Sequence, residues 1–238
     1  MSGYETITYE KKNKIAFITL NRPQVLNIYN VRMRDELYEV LGAVKEDSEV
    51  YAVILKGAGE KAFCAGADLS EFLSAPSPTG ARRSRWLRDV WGRFLSLPQP
   101  VIAALHGYVL GSGIEMSMCC DIRIASEDAQ FGLPEVALGI IPAAGATQTV
   151  PRAIGPGRAL DLLLTGRRIN AQEALQMKLI NRVVLKERLF PEAESLADKI
   201  AGWDQCAVRA IKQAVSRGLD LPLEEGLKLE KRLARQPI

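Results

Sequence analysis

At 238 residues the chain is long enough for one sizeable domain, or for a domain with an appendage. Its 47% hydrophobic and 25% charged residues are the balance of a folded globular protein, which excludes a disordered or fibrous chain. Lys and Arg number 31 against 28 Asp and Glu, and a net charge of +3 is too weak for the concentrated basic surface that nucleic acid demands.

The four cysteines, Cys64, Cys119, Cys120 and Cys206, form neither a CxxC nor a spaced disulfide framework. A reducing compartment is expected. The start, MSGYETITYEKK, lacks an apolar signal core, and no apolar run approaches a membrane span. A soluble cytoplasmic protein with no membrane contact is the expectation.

In chain order, residues 6–9 and 15–20 read as two strands of an antiparallel hairpin turning at residues 11–14. Asn30 is placed to cap a helix in which Leu37, Val40, Leu41 and Val44 fall at i, i+3, i+4 and i+7, so one face is buried. Residues 50–55 follow as a buried strand. The segment KAFCAGADL (61–69) has small residues at 62 and 65–67 that leave the backbone uncovered. Such a loop can offer main-chain N–H groups to a ligand, although a tight packed loop explains the composition as well. Residues 74–80 (SAPSPTG) read as a connector. A helix over 81–97 follows, with Leu87, Val90, Trp91, Phe94 and Leu95 as its apolar stripe. Its arginines 82, 83, 85, 88 and 93 read as a solvated or subunit-facing surface.

The chain is organised around residues 105–126, LHGYVLGSGIEMSMCCDIRIAS. A buried strand (101–105) leads into a Gly-rich turn (106–113), a short apolar helix from about Ser112, and a further strand (122–125). The first-turn N–H groups of a helix have no intrahelical partner, and the dipole adds positive potential there. Both favour a polarised carbonyl oxygen. Glu115 is a lone carboxylate in this apolar helix. A lone Glu is ordinarily solvated or ion-paired, so chemistry here requires a second half-site. Glu135, in the apolar stretch LPEVALGIIP (133–142), is the other candidate. Two carboxylates supply an acid and a base, and two backbone donors, from residues 65–67 and 111–113, would stabilise a developing enolate oxygen. Beyond this, helices are expected at 145–153, 157–165 and 171–177, and a short strand at 181–185. A largely helical tail from 187 breaks near Trp203 and at 218–222. The expected organisation is a layered α/β core over residues 1–190 and a C-terminal helical region over 191–238.

The segments NRPQVLN (21–27), KAFCAGADL (61–69), PVIAALHGYVLGSGIEMSMCCDIRIAS (100–126), FGLPEVALGIIPAAGATQ (131–148) and LLLTGRRINAQEALQMKLINRVV (162–184) together resemble the crotonase superfamily, specifically its enoyl-CoA hydratases. The resemblance implies an α/β crotonase-like fold of repeated ββα units with a helical C-terminal region. It implies reversible addition of water across the 2,3 double bond of an enoyl-CoA. Glu115 would deprotonate water for attack at C3, and Glu135 would exchange the proton at C2. The backbone N–H groups of Ala67 and Ser112 would form the oxyanion hole. Gln24, Ala65, Ala67, Asp68 and Leu69 match the region that contacts coenzyme A. No metal and no cofactor are implied, since coenzyme A is part of the substrate. The assembly implied is a homotrimer or a hexamer built as a dimer of trimers.

Several positions depart from the family pattern. The usual GGG turn is GSG, the common Asn-Gly before it is His106-Gly107, and the first loop carries Ile28 and Tyr29 where smaller or aliphatic residues are usual. The chain ends at Ile238, short of the usual family length, so part of the C-terminal helical cover is expected to be absent. Double-bond isomerisation, which needs a single acid/base group, is the alternative within the superfamily. A non-catalytic RNA-binding homologue is the alternative outside catalysis, and the low net charge gives it little support.

Overall fold

The computed structural model describes residues 3–73 and 88–235. In chain order its strands are β1 (Ile7–Lys12), β2 (Ile15–Leu20), β3 (Ala52–Gly57), β4 (Ala62–Cys64), β5 (Val101–Leu105), β6 (Tyr108–Leu110), β7 (Ile122–Ser126), β8 (Gln130–Gly132), β9 (Arg168–Asn170) and β10 (Arg182–Val184). The helices are α1 (Val31–Glu46), α2 (Leu69–Leu73), α3 (Val90–Ser96), α4 (Ser112–Met118), α5 (Ala146–Ile154), α6 (Pro156–Thr165), α7 (Ala171–Gln176), α8 (Leu189–Ala201), α9 (Gln205–Gly218) and α10 (Leu223–Leu233). The connector expected at 74–80 and residues 81–87 of the helix expected at 81–97 lie outside the described residues.

Local chemistry accounts for the first elements. β1 and β2 pair antiparallel, and Asn13 at the tip takes φ +54°, a left-handed conformation that Asn tolerates well. Asn30 caps α1 as the sequence predicts, its side chain accepting from Met33 N at 2.9 Å. Leu37, Val40, Leu41 and Val44 are buried along one face of that helix. Glu36 is buried beside them and ties the start of the chain to α1. Its carboxylate accepts from the backbone N–H groups of Glu5, Thr6 and Ile7 and from the Thr6 hydroxyl.

The larger sheet runs β1-β2-β3-β5-β7-β10, all parallel except β1. Its strands alternate strictly between two apolar layers. Ala16, Ile18, Val53, Leu55, Ala103 and Leu105 face the main core, while Ile15, Ala52, Ile54, Ile102 and Ala104 face the other side. That second side is closed by Leu189, Ala193 and Ala197 of α8. The first helix of the expected C-terminal region is therefore a covering layer of the core sheet. Helices α9 and α10 pack chiefly on each other, and α9 reaches the core through Lys212, which bridges to the Gln99 carbonyl and the Asp121 carboxylate.

A second sheet, β4-β6-β8-β9, was not foreseen from the sequence. Its strands are three residues long, too short to show a period. The chain alternates between the sheets: β3 leads to β4, β5 to β6 and β7 to β8, and each pair is followed by a helix or a 3₁₀ turn. The residues read as one Gly-rich turn, 106–113, are thus a corner, a strand and a second corner. Gly107 makes the first corner with φ +53°, where a Cβ would lie 2.0 Å from the Lys61 carbonyl oxygen. Strands β4, β6 and β8 are parallel neighbours, so their C-terminal ends lie side by side. Ligand sites of parallel sheets form outside those ends.

Candidate active site

The three neighbouring strand ends deliver three of the segments that the sequence singled out. β4 runs into residues 65–68, β6 into Gly111 and α4, and β8 into the 3₁₀ turn Pro134–Leu138. The backbones approach closely at Gly111, which takes φ +50°. A Cβ there would lie 3.6 Å from Gly66 Cα and 2.8 Å from Glu135 Oε1. At Gly113 a Cβ would lie 2.3 Å from the Cys64 carbonyl oxygen, so only glycine lets α4 start against the end of β4.

These contacts set the two expected backbone donors next to each other. Residues 29 and 67 form an isolated parallel bridge in which Tyr29 N donates to Gly66 O and Asp68 N donates to Tyr29 O, each at 2.8 Å. In this pattern the bridge bonds come from the neighbours of Ala67, and its own N–H faces the opposite side. Ser112 is the first residue of α4, where an N–H has no intrahelical acceptor. Neither N–H donates to another group among the described residues. The left-handed conformation falls on Gly111 and not on Ser112, so the GSG turn accommodates its serine without backbone strain.

The two carboxylates arrive from different directions. Glu115 projects from the first turn of α4 and is 3% exposed. Its Oε1 accepts from Ala144 N at 2.8 Å and from Ala146 N at 3.3 Å, the backbone around the N-cap of α5. Glu135 lies part-buried in its 3₁₀ turn, and its Oε2 is buried without a hydrogen-bond partner among the described residues. Burial pushes the Glu135 acid up to about 6; a hydrogen bond from its own backbone N–H opposes the shift, and the charge of Glu115 adds to it. The site thus combines two outward-facing N–H donors, one carboxyl held by backbone amides, and a second carboxyl that takes up a proton more readily than usual.

The chain is similar to known proteins over nearly its whole length. The family model for enoyl-CoA hydratase/isomerase matches residues 10–238. A short-chain-enoyl-CoA hydratase of Clostridium acetobutylicum is 44% identical over 224 residues, covering 94% of this chain and 86% of the relative. A crotonyl-CoA hydratase of Syntrophomonas wolfei is 41% identical over 229 residues, covering 96% and 88%. The crystal structure of an enoyl-CoA hydratase from Bacillus anthracis superposes with a TM-score of 0.93 at 43% identity, covering 97% of this chain and 90% of that one.

The chain belongs to the enoyl-CoA hydratase/isomerase family. Its fold is the crotonase fold that the motifs imply.

The remaining residues that the family pattern singled out lie in the two segments that the Tyr29–Ala67 bridge joins, or beside them. Ala65 has its N–H bonded to Leu26 O at 3.0 Å. Gln24 is exposed on the 3₁₀ turn Pro23–Val25, and Leu69 is exposed at the start of α2. The Asp68 carboxylate is engaged by the Ser70 hydroxyl at 2.6 Å and by the Arg22 guanidinium at 3.3 Å, and these partners hold its acid below the usual range. His106 is buried with Nε2 3.0 Å from the Gly59 carbonyl oxygen and its ring edge-on to Phe190, away from the carboxylate pair. The pocket-wall stretch expected at 72–94 lies largely outside the described residues. Among the described residues, no cluster of His, Cys, Asp or Glu is arranged to hold a metal ion, and no helix is long and apolar enough to cross a membrane.

The sequence reading missed the main-chain anchors of Glu115. They lie in AAGATQ (143–148), where Gly145 takes φ +111° between the two donating residues. A glycine just before an apolar-periodic stretch was the available signal.

The raised Glu135 acid gives a measurable pH dependence. Between its unfolded value near 4.5 and its folded value of about 6, the folded state binds more protons, so the parent loses stability as pH rises through that window. Glu135→Gln removes this term. The melting temperature of the variant minus that of the parent is expected to be larger at pH 8 than at pH 4. A difference that does not change with pH contradicts the assignment.

Proposed function

We propose that this protein hydrates 2-enoyl-CoA thioesters and, in reverse, dehydrates 3-hydroxyacyl-CoA thioesters. The observation that carries the reading is the convergence of two carboxylates and two outward-facing N–H donors on the ends of three adjacent parallel strands. In this scheme the thioester oxygen accepts from Ala67 N–H and Ser112 N–H, which stabilises the negative charge it gains as water adds. Glu115 takes a proton from water as its oxygen attacks C3. Glu135 delivers a proton to C2. Each hydration leaves Glu115 protonated and Glu135 ionised, so a proton passes back through solvent before the next turnover. Glu115, held by the amides of Ala144 and Ala146, suits the base, and Glu135, with its acid at about 6, suits the donor. Each oxyanion donor contributes on the order of 3–4 kcal/mol to the barrier reduction.

The scheme needs no cofactor and no metal, because coenzyme A is part of the substrate. Segments 22–29 and 65–69, including Gln24, Ala65, Asp68 and Leu69, are proposed to hold the coenzyme A portion through main-chain groups, which leaves the Asp68 carboxylate to its Arg22 and Ser70 partners. The two relatives named above carry short-chain and crotonyl in their names, so crotonyl-CoA is the substrate to assay first. Four free cysteines, three of them buried, fit a reducing compartment, and a cytoplasmic location is part of the proposal.

Kinetics of Glu115→Gln and Glu135→Gln test the mechanism. Each is expected to lower kcat by roughly 10²–10⁴, the usual size of an acid–base contribution, with much smaller effects on thioester affinity. Near-parental turnover in either folded variant would sink the two-glutamate scheme and move the protein to the isomerase reading.

The proposal includes assembly as a trimer or a dimer of trimers. Ile211 and Val215, at i and i+4 on α9, are exposed, as are Leu219 just after that helix and Leu223 and Leu227 of α10. Several large exposed apolar side chains on one helical pair favour burial against another subunit. Light scattering at micromolar concentration is expected to give a trimer or hexamer mass, and a monomer mass refutes this part.

A further inference from the structure

The direction of the Ala67 N–H is set by the two bridge bonds between residues 29 and 66–68, so whatever holds those two segments together aims the oxyanion donor. One side chain does so from both ends. The Arg22 guanidinium donates through Nη1 to the carbonyl of Ile28 at 2.8 Å, immediately before Tyr29 in the chain. It also reaches Asp68 Oδ2 through Nη1 at 3.3 Å and Nη2 at 3.4 Å, immediately after Ala67. Arg22 is itself fixed from behind: its backbone N–H donates to Asn27 Oδ1 at 2.8 Å, and Asn27 is fully buried, donating to the carbonyls of Ala58 at 2.9 Å and Ala62 at 2.8 Å. Asn27 takes φ +54°, and its side-chain bonds tie the turn that presents Arg22 to the residue just after β3 and to the first residue of β4.

We propose that Arg22 is a positioning residue for the oxyanion hole, acting through Ile28 and Asp68 to fix the orientation of the Ala67 N–H, and that the Asp68 carboxylate serves this clamp rather than coenzyme A. The inference rests on the hydratase reading and deepens it. Arginine suits the task because its planar fork engages a carbonyl and a carboxylate at once, whereas lysine offers a point charge. The ion pair is mostly buried, with 18% of the Arg22 side chain and 14% of the Asp68 side chain accessible, so removing either partner costs stability as well as position, and a readout at the bound carbonyl is needed to separate the two. Its effect on catalysis is expected because the guanidinium engages the residues that flank the Tyr29–Ala67 bridge on both segments. A misplacement of about 1 Å at a reacting centre costs roughly 10²-fold in rate, and loss of one oxyanion donor costs on the order of 10²–10³-fold.

The experiment compares Arg22→Gln, Arg22→Lys and Asp68→Asn with the parent. It measures kcat for crotonyl-CoA, the dissociation constant of butyryl-CoA, the melting temperature, and the infrared carbonyl stretch of bound butyryl-CoA labelled with ¹³C at the thioester carbon. In the parent the stretch is expected below its solution value, because hydrogen bonds polarise the carbonyl. Arg22→Gln and Asp68→Asn are expected to lower kcat by about 10–10²-fold in protein that remains folded at the assay temperature and to return the stretch toward its solution value, with affinity close to the parent. Arg22→Lys is expected to recover part of both. Unchanged kcat overturns the proposal, and so does a kcat loss with an unchanged carbonyl stretch. A selective, salt-dependent loss of butyryl-CoA affinity overturns it in favour of direct coenzyme A contact. A parent that hydrates crotonyl-CoA without polarising the carbonyl refutes the oxyanion reading itself, and the clamp with it.

Discussion

Backbone can approach backbone at Gly111 and Gly113 because neither residue has a Cβ, and the geometry of the site depends on that approach. At Gly111 the strand β6 turns into α4 while lying close to the loop after β4 at Gly66 and to the carboxyl of Glu135. At Gly113 the same helix seats on the last residue of β4. A methyl group at either place would separate elements that carry different parts of the chemistry. The intervening residue, Ser112, has ordinary backbone geometry, so its side chain is compatible with a role for its N–H. The two-sheet architecture exists to bring these ends together: each strand of the large sheet hands the chain to a short strand of the small one, and three of those short strands finish side by side.

Placing two carboxyls in such a site is costly, since burying a charge without compensation is strongly unfavourable. The structure offsets the cost unequally. Glu115 receives two backbone N–H bonds beside the start of α5, and bonds to a charged acceptor are worth about 1.5–3 kcal/mol each. Glu135 has a buried oxygen without such a partner among the described residues, and its acid rises accordingly. Two chemically identical side chains thereby meet different surroundings, one held by main-chain amides and the other with its acid raised to about 6.

Much of this was legible in the residues. The hairpin, the Asn30 cap, the buried face of α1 and the strand–helix–strand around Glu115 follow from local chemistry and periodicity. Glu115 and Glu135 stood out as carboxylates in apolar, glycine-punctuated surroundings. Three things were not legible. The small sheet has strands too short to carry a period, so 62–64 read as loop and 108–110 as turn. The anchors of Glu115 are main-chain groups of Ala144 and Ala146, which any residue but proline would supply. The Arg22–Asp68 contact spans 46 positions, and nothing local in the sequence pairs those two charges.

The central claim is that Ala67 N–H and Ser112 N–H meet one thioester oxygen while Glu115 and Glu135 flank the adjacent carbons. A crystal structure with a bound saturated acyl-CoA tests it directly. The account expects the thioester oxygen within about 3.2 Å of both nitrogens, the ordinary limit for an N–H···O bond, with both carboxylates on the same side of the C2–C3 bond. An acyl-CoA whose thioester oxygen reaches neither N–H, or whose C2 and C3 lie away from the two carboxylates, would contradict it.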